Sequence, residues 1–144
     1  MTRPSTLKLH DFSDESFIHG CYIPDHICDD LIKYFDEHPD RQLSGTILNE
    51  IDVLIKDDSR KTSMDIGFDI LQDEEDNRLL SEYLSYLNLC IREYEHKYNR
   101  VGLVAQYNIT EGINLQKYEL GEGYKKWHCE RNGLKDQTRC LVFM

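Results

Sequence analysis

His128 and Glu130 stand two apart behind the run Gly121-Glu122-Gly123-Tyr124, and an imidazole and a carboxylate at that spacing can share one metal ion. On an extended strand, side chains two apart point the same way while the residue between points away, which sets His128 and Glu130 together and turns Cys129 to the other side. One histidine and one carboxylate, with positions left open, are two thirds of the 2-His-1-carboxylate arrangement that holds non-haem Fe(II). A second histidine would complete it. No histidine follows His128 in this sequence, and His96 falls on the polar side of a long helical pattern, so neither completes the set.

The elements that must position these residues follow from periodicity. Ile18 to Ile23 reads as a strand, and Pro24-Asp25 opens a helix whose apolar residues Ile27, Leu31 and Phe35 recur every fourth position until Pro39 restricts His38 and closes it. Ile51, Val53 and Ile55 predict a short strand, and Asp57 to Lys61 a polar turn. A second helix is predicted from Asp73-Glu74-Glu75-Asp76, whose acids favour the positive end of the helix dipole, to about Asn99. Its stripe is Leu80, Leu84, Leu87, Ile91, Tyr94 and Tyr98, a face made to pack on a sheet. Beyond it the pattern becomes strand-like over 101–107, 113–120, 124–130 and 139–144. Helices first and strands later predict an α+β fold in a single domain: a helical support layer with early strands over 1–100, then a sheet core over 101–144.

Composition narrows the function classes. A formal net charge of −10 argues against a phosphate-backbone partner, which normally meets a basic face. With 40% hydrophobic and 31% charged residues and no apolar run of spanning length, the sequence is that of a globular domain without a membrane segment. The N-terminus lacks a hydrophobic signal core, which makes the cytoplasm the expected location and leaves the sequon at Asn108 without meaning. Five cysteines with no CxxC pair read as reduced thiols, and His128, Cys129 and Cys140 match no common zinc spacing.

Asn114-Leu115-Gln116-Lys117-Tyr118, the Gly-Glu-Gly-Tyr turn, His128-x-Glu130 and the run Arg139-Cys140-Leu141-Val142-Phe143-Met144 resemble, in order and spacing, the prolyl-4-hydroxylase-like branch of the Fe(II)/2-oxoglutarate dioxygenases over residues 113–144. The leading strand, the Pro-Asp helix start and the long second helix are similar to that family's N-terminal support layer. The resemblance implies helices packed on a cupin-like double-stranded β-helix, or jelly roll, here incomplete at its C-terminal side. It implies His128 and Glu130 as iron ligands, Tyr118 against 2-oxoglutarate and Tyr124 at the mouth of the site. It also implies a reaction in which O2 and 2-oxoglutarate are consumed, succinate is released and a C–H bond of a peptidyl proline or amino-acid-like substrate is hydroxylated.

Three departures accompany the resemblance. Glu130 stands where aspartate is commoner, and three residues rather than two separate Tyr124 from His128, which predicts a bulge. A jelly roll has about eight strands, and the family's second histidine and carboxylate-pairing basic residue lie on later ones. Arg131, Lys135 and Arg139 all come too early for that role, so the chain is expected to be the N-terminal portion of a longer enzyme. Its last strand would then be an open apolar edge, able to pair with another copy. The competing expectation is an inactive or partner-pairing module that keeps the front half of the fold. Trp127 and Cys129 are expected in the core, and Arg60-Lys61-Thr62-Ser63 is expected as a solvated turn rather than a lid over the substrate.

Overall fold

The structure, a computed structural model, describes residues 7–49, 51, 53–103, 106–130 and 139–144. Two helices combine with small antiparallel ladders, an α+β composition, and the chain gathers into two compact units that are each discontinuous in sequence.

The first unit comprises Met1–Glu37 and Asp69–Gly112. Strands β1 (Lys8–His10) and β2 (Gly20–Tyr22) pair antiparallel, and helices α1 (Asp25–Glu37) and α2 (Glu74–Lys97) fall where the apolar periodicity places them. Asp73 caps α2: its carboxylate accepts from the backbone N–H groups of Glu75 and Asp76, satisfying two donors that the helix leaves without partners. The α2 stripe meets the segment before and in β2. Tyr94 and Tyr98 donate hydroxyl hydrogen bonds to the carbonyls of Phe17 and Asp14, at 3.1 and 3.2 Å. Of the stripe only Leu80 is fully buried. The five cysteines form no disulfide. Burial pushes the Cys21 thiol up to about 12, with the Cys90 thiol hydrogen-bonded beside it.

The second unit comprises His38–Phe68 and Ile113–Met144. Its centre is a three-stranded antiparallel sheet in the order β3 (Leu43–Ser44), β7 (Met64–Phe68), β8 (Ile113–Lys117). A hairpin of β4 (Ile47–Leu48) with β5 (Leu54–Ile55) and a ladder of β6 (Lys61–Thr62) with β9 (Gly123–Tyr124) complete it. Ile66 and Phe68 on β7 and Ile47 on β4 form the core of this unit. Arg41 donates to the Gly67 carbonyl at 3.0 Å and lies 5.2 Å from the Phe68 ring centroid, a cation over an aromatic face.

Several sequence expectations change. Ile51 lies in a turn, and among the described residues of the predicted 51–55 strand the ladder holds Leu54–Ile55, because Asn49 accepts backbone hydrogen bonds from Ile51 and Val53 and turns the chain there. Val101–Leu103 forms a single 3₁₀ turn instead of beginning a strand, with the Leu103 N–H donating to the Arg100 carbonyl at 3.3 Å. The strand expected over 124–130 stops at Tyr124, and 139–144 forms none. A strand exists only with a ladder partner, and among the described residues neither 126–130 nor 139–144 has one. β7, the most buried strand, was not expected at all.

Candidate functional site in the second unit

The loop that carries the candidate ligands is built by a turn and a clamp. Glu119 to Glu122 form a turn closed by the Glu122 N–H on the Glu119 carbonyl at 2.9 Å, and Gly121 at φ 87° supplies the left-handed position that side chains rarely adopt. Gly123 and Tyr124 then pair with Thr62 and Lys61. Lys125 fastens the exit: its N–H donates to the Arg60 carbonyl at 2.7 Å, and its ammonium donates to the Asp58 carbonyl and the Thr62 hydroxyl, both at 2.8 Å.

Past that clamp the chain leaves the ladder, yet His128 and Glu130 still converge. His128 Nε2 is 3.2 Å from Glu130 Oε1, and the imidazole stacks on the Tyr124 ring with centroids 3.7 Å apart and planes 19° from parallel. Alternation along a strand is therefore not what unites them; a bend at Glu130 and the stack on Tyr124 are. Arg139 steadies the carboxylate residue by donating to the Glu130 carbonyl at 2.8 Å, with the guanidinium 3.7 Å from Glu130 Oε2.

The imidazole lies between two acceptors. His128 Nδ1 is 3.2 Å from the Lys126 carbonyl and Nε2 is 3.2 Å from Glu130 Oε1, and the tautomer sets which nitrogen donates. In the tautomer whose Nδ1–H donates to the carbonyl, the Nε2 lone pair faces the carboxylate and is available to a metal ion. Donor atoms bound about 2.1 Å from one metal at right angles lie about 3 Å apart, close to the spacing here. A backbone carbonyl fixing Nδ1–H is also how metal-bound histidines are commonly oriented. Among the described residues no third histidine, cysteine, aspartate or glutamate joins the pair in a group that could hold a metal.

Comparison with protein-family models, with curated proteins and with solved structures returns no match to this chain. Function rests on the site itself.

Tyr118 follows β8, is 41% exposed and donates to Gln116 Oε1 at 2.8 Å. Burial raises its phenol above the usual value, while the Lys61 ammonium and a hydrogen bond with Ser63 pull it back and the Asp65 carboxylate and Tyr124 push it up. Tyr118 and Tyr124 therefore border one polar cluster that sequence reasoning missed. Lys61 is only 4% exposed; its ammonium donates to Asp65 Oδ2 at 2.8 Å, and Ser63 donates to Asp65 Oδ1 at 2.7 Å.

The solvated turn expected over Arg60 to Ser63 thus ends in a buried lysine and a buried serine. The signal was present in the sequence. Lys61, Ser63 and Asp65 alternate with Met64, Ile66 and Phe68, a polar face and an apolar face at the period of a strand. Conversely, Trp127, expected in the core, is fully exposed at 103%, and Cys129 is also exposed, because the segment departs from the sheet that would have buried one of its faces.

Proposed function

We propose that the second unit carries part of an Fe(II)/2-oxoglutarate-dependent dioxygenase site of prolyl-hydroxylase type, with helices packed on a jelly-roll core as its architecture. The observation that carries this reading is the His128 to Glu130 geometry: an imidazole nitrogen and a carboxylate oxygen 3.2 Å apart, with the other ring nitrogen against a backbone carbonyl. His128 Nε2 and a Glu130 carboxylate oxygen would hold Fe(II), and a second histidine would have to join them. Bound there with 2-oxoglutarate and O2, the metal supplies the oxidising power to hydroxylate an otherwise unreactive C–H bond.

The chain's own residues do the positioning. The Lys126 carbonyl faces His128 Nδ1 and would orient the ring with Nε2 toward the metal, the Tyr124 ring holds the plane of the imidazole, and Arg139 orients Glu130. Tyr118 presents a half-exposed phenol that can donate to a carboxylate of 2-oxoglutarate. A substrate of peptide or amino-acid type is part of the proposal. The formal charge of −10 keeps nucleic acid the disfavoured partner, and no described helix is long and apolar enough to cross a membrane.

The test is Fe(II) binding under anaerobic conditions, read by competition with a chromogenic chelator, for the wild type, His128→Ala and Glu130→Ala. Each substitution should weaken Fe(II) by at least about tenfold, the loss that follows removal of a ligand or of its support. Equal Fe(II) retention by all three proteins would end the proposal.

A further inference from the structure

In the first unit, the seam between α2 and the chain that leads into β2 keeps a regular register. Tyr98 donates to the Asp14 carbonyl at 3.2 Å, and its ring centroid lies 5.4 Å from that of Phe17. One turn back along the helix, Tyr94 donates to the Phe17 carbonyl at 3.1 Å, and its ring centroid lies 6.4 Å from that of His19. The chain therefore runs antiparallel to the helix, and the two advance in step, since two extended residues rise about 6.6 Å and four helical residues about 6 Å. The next residue on this side of the strand is Cys21, two beyond His19, and the next on this side of the helix is Cys90, four before Tyr94. Two thiols stand opposite each other where the seam ends.

The chemistry of Cys21 agrees with that register. Burial, and after it the Cys90 thiol hydrogen-bonded beside it, push the Cys21 thiol up to about 12. Both residues are half-buried, whereas Cys28, Cys129 and Cys140 are exposed. A single cysteine in such a place is a small apolar side chain. Two that face each other are already gathered for a bond, because once one is oxidised the other meets it as an intramolecular reactant at high effective concentration.

We propose that Cys21 and Cys90 are a reversible modification site, closing to a disulfide that ties β2 to α2 when a hydroperoxide reaches the seam. The site is independent of the dioxygenase reading, whose named residues all lie in the second unit. Cys90 reacts first, because the thiolate is the nucleophile and Cys21 is held protonated. Its sulfur attacks the O–O bond and takes one oxygen as a sulfenic acid, and the other oxygen leaves as an alcohol, or as water from hydrogen peroxide. As an uncharged sulfenic acid, Cys90 no longer opposes ionisation of Cys21. The Cys21 sulfur then displaces the sulfenic hydroxyl, the S–S bond forms, and the thiol proton leaves with that hydroxyl as water. Two thiols lose two electrons and one peroxide gains them. A small-molecule thiol reverses the step by exchange.

The test is peroxide treatment of the reduced full chain under native conditions, followed by maleimide blocking and peptide mapping by mass spectrometry without reduction. The expected product is a linked pair of peptides holding Cys21 and Cys90, with two fewer maleimide adducts than the reduced protein carries and a return to the reduced pattern in dithiothreitol. The bond closes the whole loop from 21 to 90 and should raise Tm by roughly 5–15 °C. Cys28→Ser should keep that rise, and Cys21→Ser and Cys90→Ser should each lose it. Cys21 and Cys90 still open to maleimide after peroxide and unfolding, either one linked to a different cysteine, or a disulfide without a rise in Tm would each overturn the proposal. The wild-type map decides it if the serine variants do not fold.

Discussion

Two polar groupings in the second unit are handled in opposite ways. Lys61, Ser63 and Asp65 are locked into the β6 and β7 region, with the ion pair nearly dry and a glycine backbone pressed against it. His128 and Glu130 lie beyond the last ladder, with side chains 32% and 43% exposed, held by a ring stack, a carbonyl and an arginine. The lesson is one of energetics. In the first grouping the partners are obligatory, because a charge left alone inside the protein cannot turn to water. In the second, water can replace any partner, so the geometry costs the fold little and is free to serve a ligand.

Single substitutions should separate the two groupings sharply. Lys61→Met leaves Asp65 uncompensated and should cost about 3–5 kcal/mol of stability in urea denaturation, whereas the double change with Asp65→Asn should cost clearly less than the sum of the two singles. A loss below about 1 kcal/mol for Lys61→Met would mean that the pair is hydrated and that the contrast is wrong.

Gly45→Ala pushes a methyl group into Ser63 Oγ and should cost about 1–3 kcal/mol, the usual cost of overpacking. Ser63→Ala in the same background should recover part of it, because the clashing hydroxyl is gone. No recovery would place the strain in the backbone rather than in the cluster.

His128→Ala is expected to change stability by no more than about 0.5 kcal/mol, as for other exposed positions, while abolishing the pairing with Glu130. A thermal scan with and without Fe(II) measures both: the wild type should gain stability on adding Fe(II) and the variant should not. Equal gains would place the metal elsewhere.

The smallest effect concerns the turn that leads into β6. Asp57 accepts from the Ser59 hydroxyl at 2.6 Å, and that hydrogen bond holds its carboxyl below the ordinary aspartate value. A carboxyl with a lowered folded pKa contributes stability that is present above its unfolded value and is lost as pH falls through the folded one. Asp57→Asn should therefore differ from the wild type near neutral pH and converge with it in strong acid. A difference that persists unchanged into acid would show that the hydrogen bond is indifferent to charge.

How much of this was legible beforehand varies by element. α1 and α2 were readable because the 3.6-residue period is written in Ile27, Leu31 and Phe35 and in the Leu80 to Tyr98 stripe, and because the acids at 73–76 mark the positive end of the second helix. β8 was readable from its alternation. β7 was obscured by Asp65 and Gly67, which lower its apolar content although both faces are used. Calling Arg60 to Ser63 solvated took charge as a sign of exposure, which fails wherever a partner such as Asp65 is brought in by strand alternation.

The sequence by itself determined the two helices, the glycine turn and the residue types of the His128 and Glu130 pair, because each depends on contacts a few positions apart. Only the tertiary structure decided that β6 pairs with β9 across some sixty residues, which sets Lys61 opposite Tyr124 and brings Tyr118 to the buried pair. It also decided that His128 and Glu130 meet in a bend and not on a strand, because a ladder ends where its partner strand ends, and no local pattern records where that partner lies.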